Sequence, residues 1–473
     1  MTVPSFQFLA LVVAGALVYN ISSALHWRQA VLLAINILFL ATLSRSPAPF
    51  LPFAGFLVLG FVSVRVLQAV RSSKLFVAAI CYVLLSFFWL KKYAFLPEES
   101  FLQFPYVTIG LSYVFFRVMH LMIDAHQNSV ESSVRAIDYA NYTLNFTSLV
   151  SGPIQRFQDY HRMQNSVLPA LDEVIVGRAV ERIALGFFKV FVVSMLLLHW
   201  HTILLSGFGS ELTWGARTVT GALIVAIYPI YLYFNFSGYT DTVIGAARLF
   251  RLELPENFDR PFSSENFITF WSHWHITLSN WLKTYVYNPL LMALMRRFES
   301  PRLEPYFAAL AFFVTFFLVG AWHGQTSEFL FFGVLQGAGV AINKLYQIEM
   351  ARSLGRKRYR ALCQNAYYRA LSRGFTPAWF AATLLWFWSD WSQIAALWRA
   401  LGAAGAVGAA ILTTICATVG LWAWVAIRDR VDHLTIFSSR YVRTAAVSAE
   451  MAVLVMLNVV LESPAPEIVY KGF

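Results

Sequence analysis

Apolar runs of about 20 residues recur from one end of this chain to the other, each long enough to cross a hydrocarbon core of roughly 30 Å. In lipid, such a run must satisfy its own backbone polar groups, which restricts it to a helix or a closed barrel strand. The alternating pattern of a barrel is absent. Of the 473 residues, 58% are hydrophobic and only 13% are charged, where an average soluble domain carries about a quarter charged. The sequence therefore specifies an all-α polytopic membrane protein.

Hydropathy places spans near 5–24, 29–44, 49–69, 74–95, 103–123, 184–205, 217–237, 303–322, 327–346, 376–394, 402–427 and 443–461. The first apolar stretch is long and lacks a basic leader, so it reads as a membrane span and not a cleaved signal peptide. Two stretches, 131–175 and 251–300, are too polar to face lipid and too apolar for plain loops. Irregular backbone at membrane depth is tolerated where protein buries it or a cavity adjoins it. Both are expected to be re-entrant or interfacial segments around a central cavity. We treat 1–473 as one membrane domain: N-terminal spans over 1–125, a polar core over 126–350, and C-terminal spans with a short tail over 351–473.

The formal net charge is +11, but the Lys and Arg residues cluster in short loops between spans, which is the positive-inside bias and not a nucleic-acid footprint. Arg352, Arg356, Lys357, Arg358, Arg360, Arg369 and Arg373 occupy one loop. Arg428, Arg430, Arg440 and Arg443 occupy a second, and Arg296, Arg297 and Arg302 flank a third. With these loops in the cytoplasm, the spans alternate without conflict across an inner (cytoplasmic) membrane. The turn near 323–327 then faces outward or lies within the bundle, and the C-terminal tail SPAPEIVYKGF is extracytoplasmic. No internal repeat of the kind found in many transporters is visible. Asp124, Asp241 and Asp390 read as isolated acids near span ends, so an acidic relay is not expected. Cys81, Cys363 and Cys416 lack metal-ligand spacing. Cys81 and Cys416 fall in apolar runs, where core packing is the expected role.

Polar and ionisable groups concentrate between Phe234 and Gly339. In FWSHWHITLSNWLK, helical spacing puts Trp271, Trp274, Leu278 and Trp281 on one face and Ser272, His275, Ser279 and Lys283 on another. Such a helix could line a cavity, with Ser272, Trp274, Ser279 and Asn280 on its wall, or could lie at the headgroup level. His323 ends an aromatic span in GAWHGQ, and its neighbours Trp322 and Gly324 are also expected to line the cavity. Gly320 and Gly324 flank it and allow another backbone or a substrate to come close. An ionisable group in a span is a functional candidate, and histidine can take and return a proton near neutral pH. His273 and His275 are two apart and point in different directions on a helix, and no carboxylate or Cys stands at ligand spacing, so no metal site is expected. GxSxG, P-loop and GxGxxG signatures are absent.

The chain resembles the membrane-bound O-acyltransferase family, in its bacterial branch of alginate O-acetylation and teichoic-acid D-alanylation proteins. The carriers are GLSYVFFRVMHLMID, SGPIQRF, FNFSGYTDTVIGAARLF, PENFDRPF, FWSHWHITLSNWLKTYVYNPL and GAWHG, in that order over roughly residues 105–345. The resemblance implies about 11 transmembrane helices, with re-entrant helices, in a ring around a catalytic cavity. It matches His323 to the family's catalytic histidine and His275 to its earlier one. Relatives usually carry Arg-Asp where this chain has Lys283 and Thr284, and commonly Arg at His273, so those three receive no catalytic role. The tail PEIVYKGF resembles an aromatic terminal motif whose Tyr carries an acyl group, which makes Tyr470 an acyl-shuttle candidate; the alternative is an interfacial anchor. The donor implied is acetyl-CoA or another acyl-CoA, or an acylated carrier protein, with no bound cofactor. The acceptor implied is a hydroxyl of an exported or envelope polysaccharide, reached directly or through a periplasmic acetyltransferase or esterase-like partner. His323 would act as general base and His275 would orient the donor carbonyl or the developing charge. D-alanyl transfer from a carrier protein is the alternative acylation, and a transporter without covalent chemistry is the alternative of another class.

Overall fold

The computed structural model describes residues 3–44, 46–93, 95–130, 132–167, 170–209, 211–431 and 439–461. Tyr470 lies outside these residues. The elements are α1 (Phe6–Tyr19), α2 (Leu25–Ala41), α3 (Leu51–Ala69), α4 (Ser73–Leu90), α5 (Leu111–His126), α6 (Ala136–Thr143), α7 (Phe157–Asn165), α8 (Glu173–Phe188), α9 (Met195–Ser206) and α10 (Trp214–Leu249). They continue as α11 (Phe267–His273), α12 (Ile276–Leu282), α13 (Asn288–Phe298), α14 (Glu304–His323), α15 (Ser327–Ser353), α16 (Arg356–Gln364), α17 (Ala366–Thr383), α18 (Leu385–Trp388), α19 (Trp391–Val431) and α20 (Arg440–Leu461). Among the described residues, seven helical segments are long and apolar enough to cross a membrane: Ala48–Ala69, Ser73–Leu90, Glu173–Ser206, Trp214–Leu249, Glu304–His323, Ser327–Ser353 and Trp391–Arg428. α1 and α2 are apolar but shorter. This is a multi-pass, all-helical membrane protein. The apolar stripe Val407, Ile411, Ile415, Val419 and Trp422 is exposed along α19, as a lipid-facing helix requires.

Two compact units divide the described residues. The first comprises the described residues within 1–190, 235–256 and 450–473. Its core helix, α5, starts eight residues later than the expected span near 103, because Gly110 sits at φ 82 with the Leu149 carbonyl 2.8 Å from where a Cβ would stand. Buried Arg117 on α5 donates to the carbonyls of Tyr142, Thr143 and Ser148 at 3.1, 2.9 and 2.6 Å. Tyr142 and Thr143 are the last residues of α6 and Ser148 lies in the irregular backbone between α6 and α7, so residues 136–165 fold as two short helices joined by a buried non-helical segment. Asp241 is not the isolated acid expected from sequence. It accepts from Lys189 Nζ at 2.6 Å and Arg182 Nε at 3.0 Å, and the Arg182 guanidinium also grips Glu256. Arg182 and Lys189 are seven residues apart and so share one side of the helical segment Glu173–Ser206, a placement that hydropathy averaging hides.

The second unit comprises Phe191–Phe234 and Asn257–Ala449. Its α14–α15 hairpin packs backbone on backbone. A Cβ on Gly320 would strike Gly333 and the Phe329 carbonyl, and one on Gly337 would stand 2.6 Å from the Phe313 carbonyl. The expected span 376–394 is instead broken: α17 ends at Thr383, the short α18 follows, and Asp390 caps the start of α19 by accepting from Gln393 N at 2.8 Å. Cys81 and Cys416 are exposed on their helices, not packed in a core. Small apolar thiols suit a lipid-facing surface as well as an interior, which hydropathy alone does not separate.

Candidate active site

The tryptophan- and histidine-rich segment is not one helix. α11 starts under an Asn266 cap, whose side chain accepts from Thr269 N at 2.9 Å, and ends at His273. Trp274 is extended, His275 turns left-handed at φ 46 and ψ 53, and α12 begins at Ile276. The break has a visible cause. Residues 257–259 lie alongside the segment as a short strand-like bridge: Phe258 pairs with Trp274, Asp259 N donates to His273 O at 3.0 Å, and Ile276 N donates to Asn257 O at 2.9 Å. Pairing with this upstream segment thus replaces part of the helical ladder at the break, a competition that periodicity alone does not register. A non-glycine residue at positive φ is strained by roughly 1–3 kcal/mol and marks positions the surroundings over-determine.

The elbow fixes His275, which is 1% exposed. Its Nδ1 lies 3.2 Å from Asn257 Oδ1. The same oxygen accepts from Thr277 N at 3.2 Å and from Thr277 Oγ1 at 2.9 Å. A backbone N–H can only donate, so the Asn257 atom in this position is the oxygen, and His275 Nδ1 must carry a hydrogen. Neutral His275 then presents its lone pair at Nε2. Asn257 was not singled out in sequence beyond its place in PENFDRPF.

The other sequence-derived residues distribute unevenly. Trp274 is buried between Phe258, Phe270 and Phe380, with ring centroids at 5.2, 5.7 and 5.0 Å. Ser279 is half-buried, with its hydroxyl donating to Trp274 O at 3.3 Å. Ser272 and Asn280 are exposed, and Ser272 Oγ donates back to Ile268 O at 3.2 Å. His273 lies 3.2 Å from Asp259, beside the elbow, not within it.

His323 is the last residue of α14 and is 3% exposed. Its imidazole lies 4.6 Å from the Trp322 ring, 5.1 Å from Phe387 and 6.0 Å from Phe332. The Trp322 indole also lies 6.5 Å from the His275 ring, so the two imidazoles flank one indole. A Cβ at Gly324 would enter the Phe329 ring. Both glycines that bracket His323 therefore admit α15, not open space. Among the described residues, no cluster of His, Cys, Asp and Glu could hold a metal ion.

A separate cavity of about 500 Å³ in the same unit is lined by Asn266, Tyr346, Tyr359, Tyr368, Arg369 and Trp379, among others. At its edge Glu265 accepts from Arg369 Nε at 2.9 Å and from Arg373 Nη2 at 2.8 Å. The cavity adjoins the basic helix α16, and neither His275 nor His323 lines it.

With both histidines held in one aromatic setting, comparison with known proteins is decisive. The sequence profile of MBOAT, the membrane-bound O-acyltransferase family, matches residues 56–371, which include both. The chain belongs to the membrane-bound O-acyltransferase family. It is 27% identical over 283 residues to the teichoic acid D-alanyltransferase of Streptococcus thermophilus, covering 58% of this chain and 65% of that one. It is 31% identical over 245 residues to the "Probable alginate O-acetylase AlgI" of Azotobacter vinelandii, covering 51% of this chain and 46% of that one. The peptidoglycan O-acetyltransferase of Helicobacter pylori is 28% identical over 213 residues, covering 44% and 38%. The chain thus spans between about two fifths and two thirds of the length of these relatives.

Proposed function

We propose that this chain is an O-acyltransferase of the cell envelope, moving an acyl group, acetyl in the first instance, from a cytoplasmic thioester to a hydroxyl of an exported polysaccharide. Family membership and three relatives named for acylating envelope polymers support the class. The observation that carries the mechanism is the placement of His275 and His323 about one Trp322 indole, with the His275 tautomer set by Asn257. In the reaction, the acceptor oxygen attacks the thioester carbonyl, the C–S bond breaks, and the hydroxyl proton ends on the departing sulfur.

His323 is assigned the base that receives that proton and returns it to the thiolate, a role worth typically 10²–10⁴-fold. Neutral imidazole suits this setting because an uncompensated charge among Trp322, Phe332 and Phe387 would be costly. The resemblance also allows His275 to donate to the developing oxyanion. With its hydrogen on Nδ1, neutral His275 cannot do so from Nε2. We therefore assign it a positioning lone pair, which accepts from an O–H or N–H of a substrate. The donor is assigned to acetyl-CoA or another acyl-CoA, or an acylated carrier protein, approaching at the basic helix α16. Placement of α16 in the cytoplasm, of the C-terminus outside, and of Tyr470 as an acyl shuttle belong to the same proposal, as does a periplasmic acetyltransferase or esterase-like partner.

The test is incubation of membranes containing the chain with labelled acetyl-CoA, and separately with a D-alanyl-charged carrier. Mass spectrometry of envelope and secreted glycans then reads the product. Label from acetyl-CoA in a glycan ester is the expected result. Label only from the carrier replaces acetyl by D-alanyl, and no ester from either donor removes the enzymatic reading.

A further inference from the structure

The cavity of about 500 Å³ in the second unit is lined by neither histidine. It lies between α15 and α17, with α16 across one end, and its volume falls in the range of about 300–1,000 Å³ usual for ligand sites. The two long helices meet at both of its ends. At one end, a Cβ on Gly339 would stand 2.5 Å from the Trp379 indole nitrogen. At the other, the Tyr346 and Tyr368 hydroxyls are 3.2 Å apart. Residues 339–346 of α15 and 368–379 of α17 run between these contacts, roughly 10 and 16 Å of helix. Ile342, Leu371 and Phe375 line the cavity yet are 61, 59 and 57% exposed, so it opens outward past an apolar rim. Ile342 belongs to the segment Ser327–Ser353, which is long and apolar enough to cross a membrane, and there the medium outside such a rim is hydrocarbon.

The wall offers water little to hold. Asn266 Oδ1 already accepts from Thr269 N at 2.9 Å, Asn343 Oδ1 from Ile268 N at 3.4 Å, and Thr376 Oγ1 donates to Ser372 O at 2.9 Å. A water in a cavity needs two to four polar partners, whereas a hydrocarbon chain needs none. Polarity rises only toward α16. Tyr346, Tyr359 and Tyr368 gather at that end, as tyrosines do at the headgroup level. The helix α16 turns Tyr359 and Cys363 to the cavity and leaves Arg356, Lys357, Arg358 and Arg360 exposed. Arg369 adds a cation on the wall itself. The nearby acids are fewer: Glu265 is shared by Arg369 and Arg373, and Glu349 pairs with Arg352. A basic amphipathic helix beside a membrane span attracts anionic headgroups.

We propose that this cavity holds an acyl chain of an anionic membrane phospholipid, whose headgroup lies against α16 and Arg369. The full chain is purified in mild detergent, and native mass spectrometry reads the phospholipid that stays with it. Melting midpoints are then taken with added phosphatidylglycerol or phosphatidylcholine. The native chain is expected to retain phospholipid and to be stabilised more by phosphatidylglycerol. Ser372→Trp places an indole in the cavity and should lower the retained phospholipid about tenfold or more. Changing Arg356, Lys357, Arg358 and Arg360 together to Gln, all on the exposed side of α16, should abolish the preference for phosphatidylglycerol. That variant leaves the cavity wall unchanged and decides the matter where Ser372→Trp does not fold. The proposal is overturned if the native chain retains no phospholipid, if the two lipids act alike, or if a folded variant behaves as the native chain does. It is also overturned if acetyl-CoA releases the lipid as it binds, which would give the cavity to a soluble donor. Acyl transfer enters none of these readouts, so loss of the acyltransferase reading would leave them standing.

Discussion

Asn257 Oδ1 stands 3.2 Å from His275 Nδ1 while also accepting the backbone N–H of Thr277. One oxygen therefore sets both the tautomer of the imidazole and the geometry of the elbow that presents it.

Asn257→Leu removes that acceptor at similar volume. Acyl transfer is expected to fall by at least about tenfold, as when the partner that sets a catalytic histidine's tautomer is lost. Asn257→Asp keeps an acceptor and should recover most of the rate. Initial rates for the two variants, with protein levels in the membrane matched, check this. Equal rates would remove the tautomer argument.

His323→Ala is expected to lower transfer by about 10²–10⁴-fold with normal insertion and abundance. His275→Ala should also lose activity. The double variant should lose much less than the product of the two, because groups acting on one step are non-additive. Single-turnover assays with labelled donor give the comparison.

Gly320→Val should destabilise the fold by about 1–3 kcal/mol or block folding, since the new side chain meets Gly333 and the Phe329 carbonyl. A thermal melt in detergent reads the change. An unchanged midpoint would mean that α14 and α15 can separate at little cost.

Asp241→Asn leaves Lys189 and Arg182, both largely buried, without their shared counter-charge. A loss of roughly 3 kcal/mol is expected. Replacing Asp241 and Lys189 together by leucine should cost less than the single change, and the melting midpoints of the two variants decide the order.

The Arg182 guanidinium holds the Glu256 carboxyl below the usual carboxylate range. Its contribution is therefore present above the unfolded value of about 4.3 and lost as pH falls through the lower folded value. Glu256 is half-exposed, so the effect is on the order of 0.5 kcal/mol. Glu256→Gln should flatten this part of the acid limb in a stability-versus-pH series.

The class of fold was legible because uninterrupted apolar length has few structural meanings, and His323 was legible because an imidazole beside Trp322 at the end of a span is conspicuous. The segment 267–282 was not, since its period of 3.6 is kept on either side of the elbow while pairing of Phe258 with Trp274 breaks the helix between. Such pairing depends on residues well upstream. Asn257 carries no hydropathy signal and its role depends on a left-handed His275. Asp241 was misread because its partners Arg182 and Lys189 lie more than fifty positions before it.

The crossing of Gly320 on Gly333 has a mechanical consequence. With no side chain between them at that point, the two backbones are in direct contact, and His323 sits three residues beyond it. The hairpin behaves as a stiff lever with the imidazole near its end. A lean of α15 is therefore passed by backbone contact to the end of α14, where the proposed base stands.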